Sequence, residues 1–365
     1  LQTEDYPDSE IKAEQERFQK AFIDMPEEII LSLKNTPHDF YPTFPDNPLM
    51  GHVGSHPQIT EYDVNGQFFG WGVQPSAMLS DIKRRLRYGK EHQVTGFLAR
   101  TDWEGVQDWT CFDNLNMVNL YAIAAYAENE NTSEEEIYLR WLQGEHMLDE
   151  RLSPGQLKTC VQTVKEIMDE TWPIVEKTNF VNGCLFSNDS CMHLTPEQFT
   201  FIGGTHHSLS EWDPEKKDAL EMSVENIARI IEDKEEAHVK CEKLVDRVVA
   251  GNMGLTEDAY EKMKEHFEFM RWYVRGFRLT ARGYCFGRYV TEKNAADMLV
   301  EGKTANVLLE ETIHEMEKYR EGLLQTTFIK KYPFDAQLNP ERVAFYTNSL
   351  KRMLAQGKKV EIVED

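Results

Sequence analysis

The chain predicts an α/β region built from parallel strands and helices, followed by an all-α region. Short apolar runs, each releasing a charged residue where it ends, alternate with helical patterns up to about residue 130. Beyond Thr132 apolar residues recur at three- and four-residue spacing with almost no strand signal. Capping residue and proline pairs then mark successive helix starts. The first region reads as consecutive units of a β/α barrel, residues 1–130, and the second as a helical domain, residues 131–365.

A length of 365 residues accommodates two domains, or one large domain with an appendage. The net charge of -23 argues against nucleic acid, which needs basic stripes, but leaves a small acidic substrate open, because a few local cations decide that. No apolar run approaches the ~20 residues of a membrane-spanning helix. The six cysteines show neither a Cys-x-x-Cys pair nor zinc spacing, so no metal site or cofactor is expected. Cys184 and Cys191 flank a loop and have the spacing to pair in an oxidising compartment; buried thiols are the alternative. The polar start Leu1-Gln2-Thr3-Glu4-Asp5 has no signal-peptide pattern, which leaves localisation open.

Taken in order, Ser9–Asp24 is an amphipathic helix with Ile11, Phe18, Phe22 and Ile23 on one side, stopped by Pro26. Ile29–Leu33 is a strand ending in Lys34-Asn35-Thr36-Pro37-His38-Asp39-Phe40. A loop punctuated by Pro42, Pro45, Pro48, Gly51 and Gly54 leads to a second strand near Gln58–Tyr62, which delivers Glu61-Tyr62-Asp63 and a turn at Asn65-Gly66. The loop Phe68-Phe69-Gly70-Trp71-Gly72 precedes a helix over Ser76–Lys90, whose Lys83, Arg84, Arg85, Arg87 and Lys90 read as a solvated face. A third strand, Val94–Ala99, ends in Arg100-Thr101-Asp102-Trp103, and Asn114–Glu128 is the next helix.

In the second region Ser153-Pro154, Thr195-Pro196, Asp213-Pro214 and Asn339-Pro340 each place a capping side chain before a proline. Long helices are expected over 214–250, 256–290 and 292–325, packed antiparallel. Phe267, Phe269, Trp272, Tyr273 and Phe277 widen the apolar stripe so that several faces need partners. Residues 179–207 form an irregular island ending in Gly203-Gly204-Thr205-His206-His207, a loop of polar surface or one near a ligand.

The stretch Glu28–Gln67 organises the functional reading. Two strands each release a carboxylate, Asp39 and Glu61, where catalytic groups of a parallel barrel collect. Paired carboxylates are what sugar-bond hydrolysis requires.

Three segments in order resemble the family 67 glycoside hydrolases, the α-glucuronidases that trim xylan fragments. Lys34-Asn35-Thr36-Pro37-His38-Asp39-Phe40 is similar to that family's Lys-Asn-Gly-Pro-x-Asp-Phe. Glu61-Tyr62 followed by Gly66-Gln67 is similar to its Glu-Tyr-x-Gly-Gln. Asp108-Trp109-Thr110-Cys111 and Val118-Asn119-Leu120-Tyr121 are similar to its Asn-Trp-Thr-Gly and Ala-Asn-x-Tyr. The likeness covers roughly Pro26–Trp141. It departs where Thr36 replaces a glycine, where the stretch between Glu61-Tyr62 and Gly66-Gln67 is two residues longer, and between Gln143 and Trp212.

The resemblance implies the C-terminal portion of a TIM (β/α)8 barrel followed by a helical domain. It also implies inverting release of (4-O-methyl)glucuronic acid from xylan-derived oligosaccharides. Asp39 and Glu61 would position and activate the attacking water. Lys34, with Arg100, would meet the uronic acid, and Asp102 would line the site. Tyr62, Phe69, Trp71, Trp103 and Trp109 would supply stacking surface. Asp39 and Glu61 are expected on one face of the sheet, with carboxyl groups roughly 6.5–9.5 Å apart or closer. The missing strands and the general acid are expected upstream of Leu1 or on another chain, and a homodimer through the helical domain is implied. The alternatives are a barrel glycosidase for another glycoside, or a non-catalytic carbohydrate-binding protein.

Overall fold

The computed structural model describes residues 10–23, 25–37, 40–41, 44–102, 110–185, 190–203, 218, 220–327 and 338–361. They form two compact units: the first runs to Trp172 and takes in Leu244–Phe267, and the second holds the remaining described residues. The first unit therefore extends past residue 130.

In the first unit, helix α1 (Glu10–Ile23) precedes strand β1 (Leu31–Lys34), strand β2 (Gln58–Asp63), helix α2 (Leu79–Glu91), strand β3 (Gly96–Arg100) and helix α3 (Met117–Glu128). The strands form a parallel sheet in the order β1-β2-β3. Lys34 is the register partner of Glu61, and Asp63 of Arg100. Strand alternation sorts the side chains into two faces. Leu31, Leu33, Gln58, Thr60 and Tyr62 are buried, with Leu31 and Leu33 packed among Met50, Val53, Phe22, Tyr88 and Val94. Ser32, Lys34, Ile59, Glu61, Asp63, Leu98 and Arg100 share the opposite, more exposed face, on which Leu98 is half exposed.

The basic cluster of α2 is not uniformly solvated. Arg85 is 2% exposed and fastens the β1–β2 connection to the helix. Its guanidinium donates to Asp81 Oδ2 (2.8 Å), Asp46 Oδ1 (3.1 Å) and the Phe44 carbonyl (2.9 Å). A buried guanidinium is tolerated because each of these acceptors offsets its desolvation.

Helices α4 (Glu134–Gly144) and α5 (Pro154–Asp169) follow in the same unit. The Ser153 start is a full capping box, with Ser153 Oγ accepting from the Gln156 amide and Gln156 reaching back to the Ser153 amide.

In the second unit the island after α6 (Thr171–Asn179) contains a small hairpin, β4 (Phe180–Val181) against β5 (Cys184–Leu185). Its Asn182-Gly183 turn has φ of 48° and 82°, the left-handed pair that two-residue hairpins favour, so this dipeptide carried a hairpin signal. After α7 (Pro196–Gly203), the long elements are α8 (Val224–Val249) and α9 (Glu257–Glu292), whose residues 244–249 and 257–267 belong to the first unit, then α10 (Ala305–Gln325) and α11 (Pro340–Glu361). The expected helix over 292–325 is shorter, because Glu301 and Gly302 turn at positive φ and the Ala305 amide bonds back to Asp297 O (3.0 Å). Asp213-Pro214, Gly204, Thr205, His206 and His207 lie outside the described residues.

Helix α9 buries Phe269, Tyr273 and Phe277, as its broad stripe requires. A Cβ at Gly276 would sit 2.5 Å from Tyr319 Oη, and one at Gly283 would sit 2.7 Å from Leu350, so these glycines permit close approach of α10 and α11. Lys234, 2% exposed, donates its ammonium to the carbonyls of Lys177, Thr178 and Phe180, capping the end of α6. The six cysteines are buried thiols rather than disulfides.

Candidate functional site

The C-terminal ends of the three parallel strands bring together Lys34, Glu61, Asp63 and Arg100 on one face of the sheet. Their convergence follows from period-two alternation and an unshifted register, which align these four positions across adjacent strands.

Phe40 links the outer two strands. Lys34 Nζ stands 4.7 Å from its ring centroid and the Arg100 guanidinium 5.0 Å from the same centroid. Both distances are within cation–π range. The ring is 5% exposed, and its backbone has φ 64°, a left-handed conformation that costs a bulky side chain energy and is typical of functional segments. Arg100 Nη1 donates to Gln67 Oε1 at 3.1 Å. Among the described residues no carboxylate forms an ion pair with Arg100; its hydrogen-bond partner is neutral, and the carboxylate of its register partner Asp63 acts on it only through space.

The two carboxylates on β2 differ in their surroundings. Glu61 is half-buried, and no hydrogen bond or ion pair engages its side chain among the described residues. Asp63 closes the turn behind it. Its Oδ1 accepts from the amides of Asn65 (3.1 Å) and Gly66 (3.2 Å), and its Oδ2 from the amide of Gln67 (2.7 Å). Burial pushes the Asp63 carboxyl above its ordinary range, opposed by these amides and by the Arg100 charge.

Three buried asparagines, Asn114 just after the short turn Cys111–Asp113, Asn116 at the start of α3 and Asn119 within it, hold this turn from behind. Asn116 Nδ2 donates to the carbonyls of Asn65 (2.7 Å), Gly72 (3.2 Å) and Gln74 (3.3 Å), and its Oδ1 accepts from the Ser76 amide (2.8 Å). Asn119 accepts from the Met78 amide (2.8 Å) and donates to Ser76 O (2.9 Å) and Val64 O (3.2 Å). Asn114 Nδ2 reaches Asn65 Oδ1 at 2.9 Å. These bonds satisfy loop backbone that would otherwise be buried unpaired. Gly72, at φ 84°, is required here, because a Cβ would lie 2.4 Å from Asn65 Oδ1.

Of the residues the sequence nominated, Lys34, Glu61 and Arg100 are brought together. Tyr62 is not: it alternates to the opposite face of β2, 2% exposed, with its ring edge-on to Phe97 at 6.3 Å. Burial raises its hydroxyl pKa, so it is a core residue of the helix-covered side and has no stacking surface to offer a sugar. Asp102 is half-buried just beyond β3. Phe69 is buried edge-on against Trp172 at 5.6 Å, while Trp71 is partly exposed in a 3-10 turn at φ 52°. Asp39, Trp103 and Trp109 lie outside the described residues. Phe40, Asp63 and Gln67 were not nominated. Asp63 stands two positions after Glu61, and that spacing alone put it on the same face.

Among the described residues no cluster of three His, Cys, Asp or Glu side chains has the arrangement to hold a metal ion. Cys111, near the β3 end, is fully buried, and burial pushes its thiol up to about 12.

No protein-family model matches the chain, and no curated protein matches it. Among solved structures it is similar to a GH138 enzyme targeting pectin rhamnogalacturonan II, with a TM-score of 0.47 and 10% identity. The match covers 95% of this chain and 58% of that one, so this chain spans little more than half the length of that enzyme.

Proposed function

We propose that this chain carries the water-activating side of a glycoside hydrolase site for an acidic sugar, of the α-glucuronidase kind. The supporting observation is the pairing of Lys34 and Arg100 on the Phe40 ring beside the unengaged carboxylate of Glu61. In a chain with net charge -23, two cations held on one buried ring are a local exception that suits a carboxylate ligand.

In this reading the sugar carboxylate rests against Lys34 and Arg100, which brings the anomeric carbon towards Glu61. Asp39 and Glu61 orient a water, and one of them takes its proton as the oxygen attacks that carbon. The bond to the leaving oxygen breaks on the opposite face, and that oxygen takes a proton from a separate acid. Configuration inverts. The acid comes from further parallel strands outside these residues, pairing along the edges of β1 and β3. The helical unit is the surface we propose for a homodimer, testable by sedimentation.

The functional test is incubation of a protein that includes the strands supplying the acid with a glucuronosyl xylotriose, followed by proton NMR of the released sugar. The β-anomer of glucuronic acid should appear first. First appearance of the α-anomer overturns inversion, and the absence of both release and binding overturns the reading.

Retained binding without release identifies a non-catalytic sugar-acid-binding protein. One observation favours this second reading: of the β2 carboxylates on the open face, Asp63 is engaged by three amides, leaving Glu61.

A further inference from the structure

We propose that Asp63 is the positioning residue of this site: by gathering the turn Asn65–Gln67 it holds Gln67 against Arg100, and so fixes the guanidinium over Phe40 to receive one sugar carboxylate together with Lys34. The inference rests on the acidic-sugar reading above and names how its cationic pocket is built.

The chain of contacts is short and continuous. Asp63 Oδ2 accepts the Gln67 amide at 2.7 Å, and Gln67 Oε1 accepts Arg100 Nη1 at 3.1 Å. The guanidinium then lies 5.0 Å from the Phe40 centroid, with Lys34 Nζ 4.7 Å from the same point. Gln67 is 6% exposed, so its amide is locked in place rather than selected from a mobile set. Asp63 is also the β3-register partner of Arg100, yet the guanidinium bonds the neutral amide instead of this carboxylate. That arrangement gives Arg100 a fixed direction without tying it into an ion pair. An arginine carries about 2 kcal/mol of side-chain rotamer entropy. Holding it before a ligand arrives removes much of that ordering cost from binding.

The carboxylate of Asp63 is not placed for proton transfer to a ligand. Both of its oxygens accept backbone amides of its own turn. The β2 exit is long enough for this side-chain-capped turn, and Gly66, at φ 88°, lets it close. Substitution of Asp63 by Asn keeps an acceptor for the Asn65 and Gly66 amides but sets an NH2 against the Gln67 amide. Substitution of Gln67 by Leu breaks the link to Arg100 and leaves the Asp63 cap intact. The two variants therefore interrupt the same chain at different points.

Calorimetric titration of the full chain with methyl α-D-glucuronoside and with methyl α-D-glucoside tests this. Asp63→Asn and Gln67→Leu should each weaken glucuronoside binding roughly tenfold while changing glucoside binding less than about twofold. The double variant should lose about the same tenfold as either single variant, because both act through Arg100. Losses that multiply to about a hundredfold, or equal losses for the glucoside, overturn the positioning role. So does a loss in Arg100→Met with none in Asp63→Asn and Gln67→Leu. If Arg100→Met leaves glucuronoside affinity unchanged, the acidic-sugar reading itself falls.

Discussion

Lys34 and Glu61 stand opposite each other across the β1–β2 ladder, with side chains on the same face of the sheet. The parallel register, rather than loop geometry, thus sets the distance between the cation and the carboxylate of the proposed site. Replacing Lys34 with Met should weaken binding of a glucuronoside about ten- to a hundredfold, the value of one charge-assisted bond. The neutral glucoside should be almost unaffected. Equal losses for both, by calorimetry, would make Lys34 a structural group.

Glu61→Gln preserves size and hydrogen bonding while removing the proposed base. Hydrolysis should fall roughly 10²- to 10⁴-fold with little change in KM, as for other general bases. Steady-state release of glucuronic acid measures this, and a variant at wild-type rate would exclude Glu61 from catalysis.

Asn116→Ala removes four hydrogen bonds from a fully buried loop. With the Ser76 amide and several carbonyls left unpaired, the fold should lose about 2–4 kcal/mol in a urea titration. A loss of under about 0.5 kcal/mol would mean that water replaces the side chain.

Gly72→Ala forces a Cβ against Asn65 and demands a left-handed backbone from alanine. The variant should lose at least about 2 kcal/mol of stability, and its sugar binding should weaken as the β2 exit shifts. Wild-type melting would show that Asn65 moves aside freely.

Lys234 gives a pH signature in the helical unit. Burial lowers its pKa from 10.5 to about 7. Between those values the unfolded chain binds the proton and the folded chain does not, so rising pH favours the fold. The cost of burying the ammonium is fully present below about 7 and relieved above it. Relative to Lys234→Met, the wild type should gain up to about 1.4 kcal/mol per pH unit between about pH 7.5 and 9.5. Parallel pH profiles for the two proteins would show that Lys234 stays charged through its three carbonyl bonds.

How far the sequence can be read depends on how local the signal is. β1, β2, β3 and the helices between them follow from short apolar runs and turn residues, and their ends match within a few residues. Lys34, Glu61 and Arg100 could be nominated because strand ends are visible in the chain itself. Tyr62 could not be excluded without knowing which face of β2 the helices cover, a fact set by packing from residues such as Tyr88 and Val94. Phe40 and Gln67 stand within the quoted motifs, yet their roles were not legible for a similar reason. Their meaning lies in contacts with residues about sixty and thirty positions away, Arg100 in both cases.

The asparagine clamp has a consequence for the order in which this protein assembles. Its bonds join residues 40 to 55 positions apart, from Asn116 to Ser76 and from Asn119 to Val64. Contacts of that separation close late in folding, after local helices and neighbouring strands have formed. The β2 exit turn therefore takes its final shape only when α3 docks, and amides from Val64 to Met78 should exchange with deuterium together with α3 as one cooperative unit. Nascent chain ending before Asn114 would already hold all three strands, yet would have nothing to set the turn that carries Gln67.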